Sequence, residues 1–489
     1  MTENPAGFTT FQLKQPDYSA DIPETGDLWK KDKLDRKAAA ERLVNMIAGQ
    51  VGPLVVGLNG RWGEGKTFFL KRFQKMYENQ KGCAVYFNAW QDDFLDDPLL
   101  SLLSQLRKSI DGLPQDTLVD SVKQAVLPVL KHAGVALFKS FVKNAAKIDI
   151  DAISTEELET RTEKLIDEYA TASTSRDELV KALDKLAKNV SSWSGKPLVV
   201  IVDELDRCRP TFAIETLERI KHLFAVENIV FVLGIDRVQL VSSIKSVYGD
   251  IDAQGYLQRF IDVDFILPRC SLYGFLQDRL AESQVAKAID PINGMNAVNS
   301  FFSAFCTIAD AARLSPRAVE YGIRKFALVA CAKDHKSHVW TVLTAYAVGL
   351  SLLPDKLTYN LFIRGKFTPK EVIDALFPSF SIENIISRKG VADVMRYLYI
   401  IYYHTSGDFE FREKFDKNLE EAKTGIHADR LLTTFPSFTA ASNPQVVYEF
   451  FRHVPDRTDY SVSLTPLLAD LYEAMSSIVE FSPLPVKGD

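Results

Sequence analysis

Short uncharged apolar runs alternate with amphipathic stretches through the first half of the chain. Leu54 to Leu58, Ala84 to Phe87, Leu198 to Val202 and Ile229 to Ile235 lack any charge, which suits strands buried on both faces. A fifth strand is expected at Val263 to Leu267. Between these runs the apolar residues return at helical spacing. Leu34, Ala38, Ala39, Leu43 and Ile47 mark a helix over Lys33 to Ala48, and Phe68, Phe69, Leu70 and Phe73 begin a second. Pro98 opens a third through Leu99, Leu102, Leu103 and Leu106, and Pro210 a fourth through Ile214, Leu217, Ile220 and Leu223. Strands alternating with helices predict an α/β fold, a parallel sheet in three layers.

The pattern changes between Gln115 and Ser192, where the chain reads as charged helix with a capping start at Ser154 and Glu157. The segment separating Lys66 from Asp203 is far longer than a crossover requires, so an insertion is expected at about 115–192. Ala125 to Val142 within it is apolar but broken by Pro128, Lys131, His132 and Lys139. It reads as an amphipathic helix that packs on its own domain or touches a membrane or partner. Helical patterns dominate the last third, and the tail from Ser482 reads as frayed. Val339 to Leu353 is uncharged but too short to span a bilayer, and reads as a core helix. Tyr397, Tyr399, Tyr402, Tyr403 and Phe409 form an aromatic stretch without an interleaved basic row, which favours core over base stacking. The organisation expected is an arm over 1–30, a main domain over 31–330 with a lid region at about 271–330, and a helical accessory domain over 331–489.

The candidate chemistry lies at the ends of two of the strands. Gly60-Arg61-Trp62-Gly63-Glu64-Gly65-Lys66-Thr67 matches G-x-x-x-x-G-K-[ST] between a strand and a helix. Glycines let successive backbone N–H groups and the helix N-terminus close around a polyphosphate. The residues expected to hold the nucleotide are Gly60, Arg61, Trp62, Gly63, Glu64, Gly65, Lys66, Thr67 and Phe68. Lys66 would reach the β- and γ-phosphates and Thr67 would ligate Mg²⁺. Trp62 is expected to pack over the loop without chemistry of its own. In Leu198-Val199-Val200-Ile201-Val202-Asp203-Glu204-Leu205-Asp206-Arg207-Cys208-Arg209 an acidic pair follows a buried run, at the strand end where α/β sheets bind ligands. Asp203 is the expected metal ligand and Glu204 the base that activates water; Asp206 is the alternative base.

Composition narrows the partners. A net charge of −6 with 58 scattered basic residues calls for no nucleic acid. The 5 cysteines show no CxxC spacing, and the 7 histidines no metal pattern, so reduced buried thiols are expected. The first 30 residues contain no apolar signal-type run, which points to the cytoplasm.

Together, Gly60 to Thr67, Phe87-Asn88-Ala89-Trp90, Asp203 to Pro210, Gly234-Ile235-Asp236-Arg237 and Tyr256 to Pro268 resemble the KAP family of P-loop NTPases. The resemblance runs from about Asp35 to Phe326. It implies a RecA/AAA-like (ASCE-type) core that uses ATP and Mg²⁺ as a conformational or assembly switch, in a prokaryotic setting and often in defence against mobile elements. It places Asp236 where a γ-phosphate sensor would sit. It makes Arg207, Arg259 and Arg317 candidate charge stabilisers, in cis or across a subunit interface, with Arg317 at the start of a lid helix. Many members carry membrane helices in the insertion, from which the charge-broken Ala125 to Val142 departs. Self-association or a protein partner is assigned to the helical last third. Rival readings are an ATP-gated scaffold with little turnover, a kinase and a nucleic-acid motor.

Overall fold

The computed structural model describes residues 22, 26–30, 32–94, 98–111, 177–223, 225–269, 272–282, 294–332, 338–354 and 356–376, with scattered positions between 398 and 475. Most of the expected insertion, including Ala125 to Val142 and the Ser154–Glu157 pair, lies outside the described residues. So do nearly all of the amino-terminal arm, His335, Tyr397 and the tail. The chain divides into one unit over Pro16–Arg269 and another made of Met1–Gln15 and Cys270–Asp489.

The first unit is built on a five-stranded parallel sheet with the order β2-β3-β4-β1-β5. The strands are β1 Leu54–Asn59, β2 Cys83–Asn88, β3 Leu198–Asp203, β4 Ile229–Ile235 and β5 Val263–Ile266. β4 pairs with β1 from Leu54↔Val230 and with β3 from Leu198↔Ile229, so it separates the strand leading to the glycine loop from the strand carrying the acidic pair. Alternation within β3 serves both faces. Val199 and Ile201 pack with α1 (Lys37–Ala48) and α2 (Lys66–Asn79), while Leu198, Val200 and Val202 pack with α3 (Pro98–Asp111) and α5 (Pro210–Leu223) on the other. The three-layer α/β expectation is thereby met.

One boundary differs from expectation. The helix over 177–194, α4, belongs to the core rather than to the insertion, because Leu179, Leu183, Leu186 and Val190 are buried against the β2–β3 side. Each such side chain contributes roughly 1.5–3 kcal/mol by burial. Surface pairs such as Lys188–Asp184 on the same helix are screened by water and add little beside it. Burial therefore decides where α4 sits, although its charges dominate the sequence. Helices α6 (Arg237–Tyr248) and α7 (Ala253–Leu257) complete the unit.

The second unit is helical among the described residues: α8 Tyr273–Glu282, α9 Gly294–Ala311, α10 Pro316–Ala332, α11 His338–Ser351, α12 Leu357–Ile363 and α13 Pro369–Leu376. The uncharged run forms α11, with Trp340, Leu343, Tyr346 and Leu350 fully buried, as a core helix requires. Phe301 and Phe326 stack with ring centroids 3.6 Å apart, joining α9 to α10. In the aromatic stretch Tyr399 is buried and Tyr402 packs edge-on against Phe367, whereas Phe409 is exposed. Among the described residues no helix is long and apolar enough to cross a membrane. Cys83, Cys208 and Cys306 are buried free thiols; burial pushes Cys83 up to about 11 and Cys306 up to about 12, so both stay protonated at neutral pH.

Candidate functional site

β1 ends at Asn59, and the glycine loop turns from there into α2. Gly63 and Gly65 take φ of 82° and 85°, the left-handed region that a side chain resists. α2 begins at Lys66 with no side-chain cap, which leaves the first-turn amides of Lys66, Thr67 and Phe68 for an anion. Phe68 itself lies under the Arg72 guanidinium at 3.5 Å. Glu64 folds back across the loop: one carboxylate oxygen accepts the Arg61 amide at 2.9 Å, the other accepts Arg269 Nη2 at 2.8 Å. The side chain of Arg61 points to solvent. The Arg36 guanidinium donates to the Gly65 carbonyl at 3.4 Å from the residue before α1.

The acidic pair stands at the carboxyl end of β3, two strands away. Asp203 is fully buried and accepts the Tyr86 hydroxyl at 2.7 Å, the Glu204 amide at 2.9 Å and the Thr67 hydroxyl. Burial raises the Asp203 pKa, and the hydrogen bonds from Tyr86 and Thr67 oppose the rise. The expected meeting of Thr67 with Asp203 is therefore present. Gly234 on β4 makes room for it: a Cβ there would lie 2.7 Å from Asp203 Oδ1 and 2.6 Å from Leu70 Cδ1. Gly234→Ala is expected to destabilise the protein by about 1–3 kcal/mol through overpacking, read as a lower midpoint in urea unfolding.

Glu204 takes a left-handed φ of 61°, which turns its carboxylate away from the strand axis. Its oxygens are held by Arg207 Nη1 at 2.9 Å and by Asn88 Nδ2 at 3.1 Å. Asn88 ends β2, beside β3. Its position in Phe87-Asn88-Ala89-Trp90 could have drawn attention in the sequence, but its task shows only when the two strands pair. Arg207 also lies 5.4 Å from the Trp90 ring.

Lys66 Nζ donates to the Gly60 carbonyl at 2.8 Å and lies 3.6 Å from Asp206 Oδ2, with both side chains buried. Trp62 corrects the expectation of a bystander. Its indole N–H donates to the same Asp206 oxygen, and its amide donates to Asp236 Oδ2 at 3.0 Å. The loop is thus fastened at its tip to two acidic residues that follow other strands, Asp206 after β3 and Asp236 after β4.

A model of the KAP family P-loop domain matches residues 36–318, more than half of the chain. The chain belongs to the KAP family. It is a nucleotide-binding P-loop domain with a helical carboxyl-terminal unit. Among solved structures, the Aeropyrum pernix ORC2 protein in its ADPNP–ADP complexes is 14% identical, with 91% of this chain and 95% of that chain covered and a TM-score of 0.31. The ADP form of the same protein is 14% identical over 94% and 96% of the two chains, with a TM-score of 0.28. No match is found among curated protein sequences.

Not every candidate of this KAP chain lies at the loop. Asp236 caps α6, accepting the Val238 amide at 3.2 Å, while its other oxygen holds Trp62. Each oxygen accepts one backbone amide, which ties the start of α6 to the phosphate loop. Arg259 is exposed and precedes β5, near the start of β1: Val263 pairs with Val56, and the Asp262 amide donates to the Val55 carbonyl at 2.9 Å. It therefore stands towards the end of the sheet opposite the glycine loop. Arg317 is exposed in the first turn of α10, in the other unit. Arg207 is the arginine held at the acidic pair.

The residues fit the magnesium that P-loop proteins use. Thr67 and Asp203 offer oxygen donors only, and a buried carboxylate whose pKa is raised by burial calls for a compensating cation. Among the described residues no group of three or more His, Cys, Asp or Glu could cage a metal. A magnesium ion here would depend on the nucleotide's own oxygens, as hard, reluctantly dehydrated Mg²⁺ commonly does.

Proposed function

We propose that this KAP domain binds ATP with magnesium and hydrolyses it, and that the cycle switches conformation or assembly. The observation that carries the reading is the junction of Thr67, Asp203 and Glu204. A hydroxyl from the phosphate loop bonds a buried carboxylate, and a second carboxylate follows it in the chain. Lys66 and the α2 amides would bind the β- and γ-phosphates, and Thr67 and Asp203 would hold the metal. When bound, magnesium supplies positive charge against the charge that develops on the γ-phosphoryl oxygens. Glu204, oriented by Asn88 and Arg207, takes the proton from the attacking water. Arg259 and Arg317 are assigned charge-stabilising roles, in cis or on a neighbouring subunit's nucleotide. We assign protein-partner or self contacts to the helical carboxyl-terminal unit. A cytoplasmic location is proposed from the lack of a signal-type run, and a part in prokaryotic defence against phage or plasmids by analogy with the family.

The test is phosphate release from ATP by the full chain. Release that requires Mg²⁺ and stops on chelation is expected. ATP bound tightly with negligible release, in the presence of Mg²⁺, would replace the hydrolase by a nucleotide-gated scaffold. The double tether on Glu204 is the observation that favours the scaffold as second reading, because the base leaves its salt bridge before it can act.

A further inference from the structure

We propose that Asp206 is a positioning residue for the phosphate loop, a latch that holds Lys66 and Trp62 until a polyphosphate displaces it from Lys66. The proposal rests on the nucleotide-binding reading and adds how the loop and its lysine are held in order. Asp206 is only 5% exposed, yet it is not paired within its own element. One of its oxygens serves both Trp62 and Lys66, and the other has no hydrogen-bond partner among the described residues. A buried carboxylate so incompletely satisfied is costly unless a cation stays beside it. Lys66 is that cation.

Displacement follows from charge. A di- or triphosphate brings several negative charges to an ammonium that Asp206 holds at 3.6 Å with only one. The second contact of Lys66, to the Gly60 carbonyl, keeps its head inside the loop while the counter-ion changes. Asp206 meanwhile faces the same phosphates with its own negative charge. Losing Lys66 and gaining that repulsion drives it away from the loop, and the Trp62 indole loses or changes its acceptor.

The consequence reaches the base. Leu205–Arg207 is a single 3₁₀ turn, and Glu204 precedes it in the left-handed conformation. The Arg207 amide donates to the Glu204 carbonyl at 3.1 Å, so Asp206, Arg207 and Glu204 share one short piece of backbone. Moving Asp206 moves the turn whose Arg207 side chain restrains Glu204. Phosphate arrival and release of the base are thus coupled through the four consecutive residues from Glu204 to Arg207.

The test uses ADP with chelator, so that no metal contributes, titrated by calorimetry into the full-length chain. Asp206→Asn keeps the size and an acceptor for the indole but removes the charge, and is expected to bind ADP at least tenfold more tightly than the native chain. Affinity equal to the native chain or weaker would overturn the latch. Loss of Mg²⁺-ADP affinity in Asp206→Asn with metal-free affinity unchanged would make Asp206 a metal ligand and overturn it too. The native chain provides a second measurement that does not depend on the variant folding. Its tryptophan emission should change on ADP addition, and the change should vanish in Trp62→Phe; no such difference while calorimetry reports binding would sink the proposal. A native chain that binds no nucleotide with or without metal removes the nucleotide reading as well, whereas a native chain that binds beside a variant that binds no tighter removes the latch alone.

Discussion

Glu204→Gln is expected to leave ATP binding intact and to slow phosphate release by about 10²–10⁴-fold, the range for losing a positioned general base. Glutamine matches the carboxylate in size. Its carbonyl can still accept from Asn88 Nδ2, which lies 3.1 Å from Glu204 in the native chain, so geometry survives the change. The amide cannot take a proton. It also loses the charge that pairs with Arg207 at 2.9 Å, although its amide oxygen can still accept from that guanidinium. The variant should therefore melt close to the native temperature while trapping ATP. Single-turnover phosphate release, with binding followed separately by calorimetry, checks both halves. Release at the native rate would take the base role away from Glu204, and Asp206→Asn would then become the decisive variant for hydrolysis.

Much of this site was legible in the sequence, and the part that was not has a physical explanation. The uncharged runs at Leu54 and Leu198 announce strands because a residue buried on both faces of a parallel sheet cannot be charged. The glycines at 63 and 65 announce a left-handed turn, and both adopt one. The juxtaposition of Thr67 with Asp203 follows once both runs are placed in one parallel sheet, since ligands gather at the strand ends. Trp62 is different. Its partners Asp206 and Asp236 come from the ends of two other strands, and no local spacing encodes which of several acidic residues will face an indole. The same holds for Asn88 and Glu204, which meet only because β2 pairs with β3 in the register Asn88↔Asp203. α4 was hidden by composition: its charges repeat more conspicuously than the Leu179, Leu183, Leu186 and Val190 stripe that burial selects.

The two acidic residues flanking Leu205 have distinct environments, and this separates their roles. Glu204 is restrained by donors at the rim of the site, where water can reach it. Asp206 has almost no exposed side-chain surface and is paired with the loop lysine, a poor place for a group that must accept a proton from water. The arrangement makes the loop and the β3 turn a single electrostatic unit before any nucleotide enters.

That unit gives Lys66→Ala two effects, expected in different measurements. Removing the ammonium takes away the group that would reach the β- and γ-phosphates, so ATP turnover should fall to background. It also strands Asp206, whose side chain is 1% exposed and whose remaining partner is the Trp62 indole. Breaking a buried pair by deleting one member costs about 3–5 kcal/mol, because an uncompensated charge is left in the interior. Water entering the vacated space favours the lower end, and urea unfolding of Lys66→Ala should show a loss near about 3 kcal/mol. The double variant Lys66→Ala with Asp206→Asn removes the stranded charge together with its former partner. It should recover most of the stability and none of the turnover. Equal stability of the single and double variants would mean that the Lys66–Asp206 pair contributes nothing to the resting loop, and would count against the latch as well.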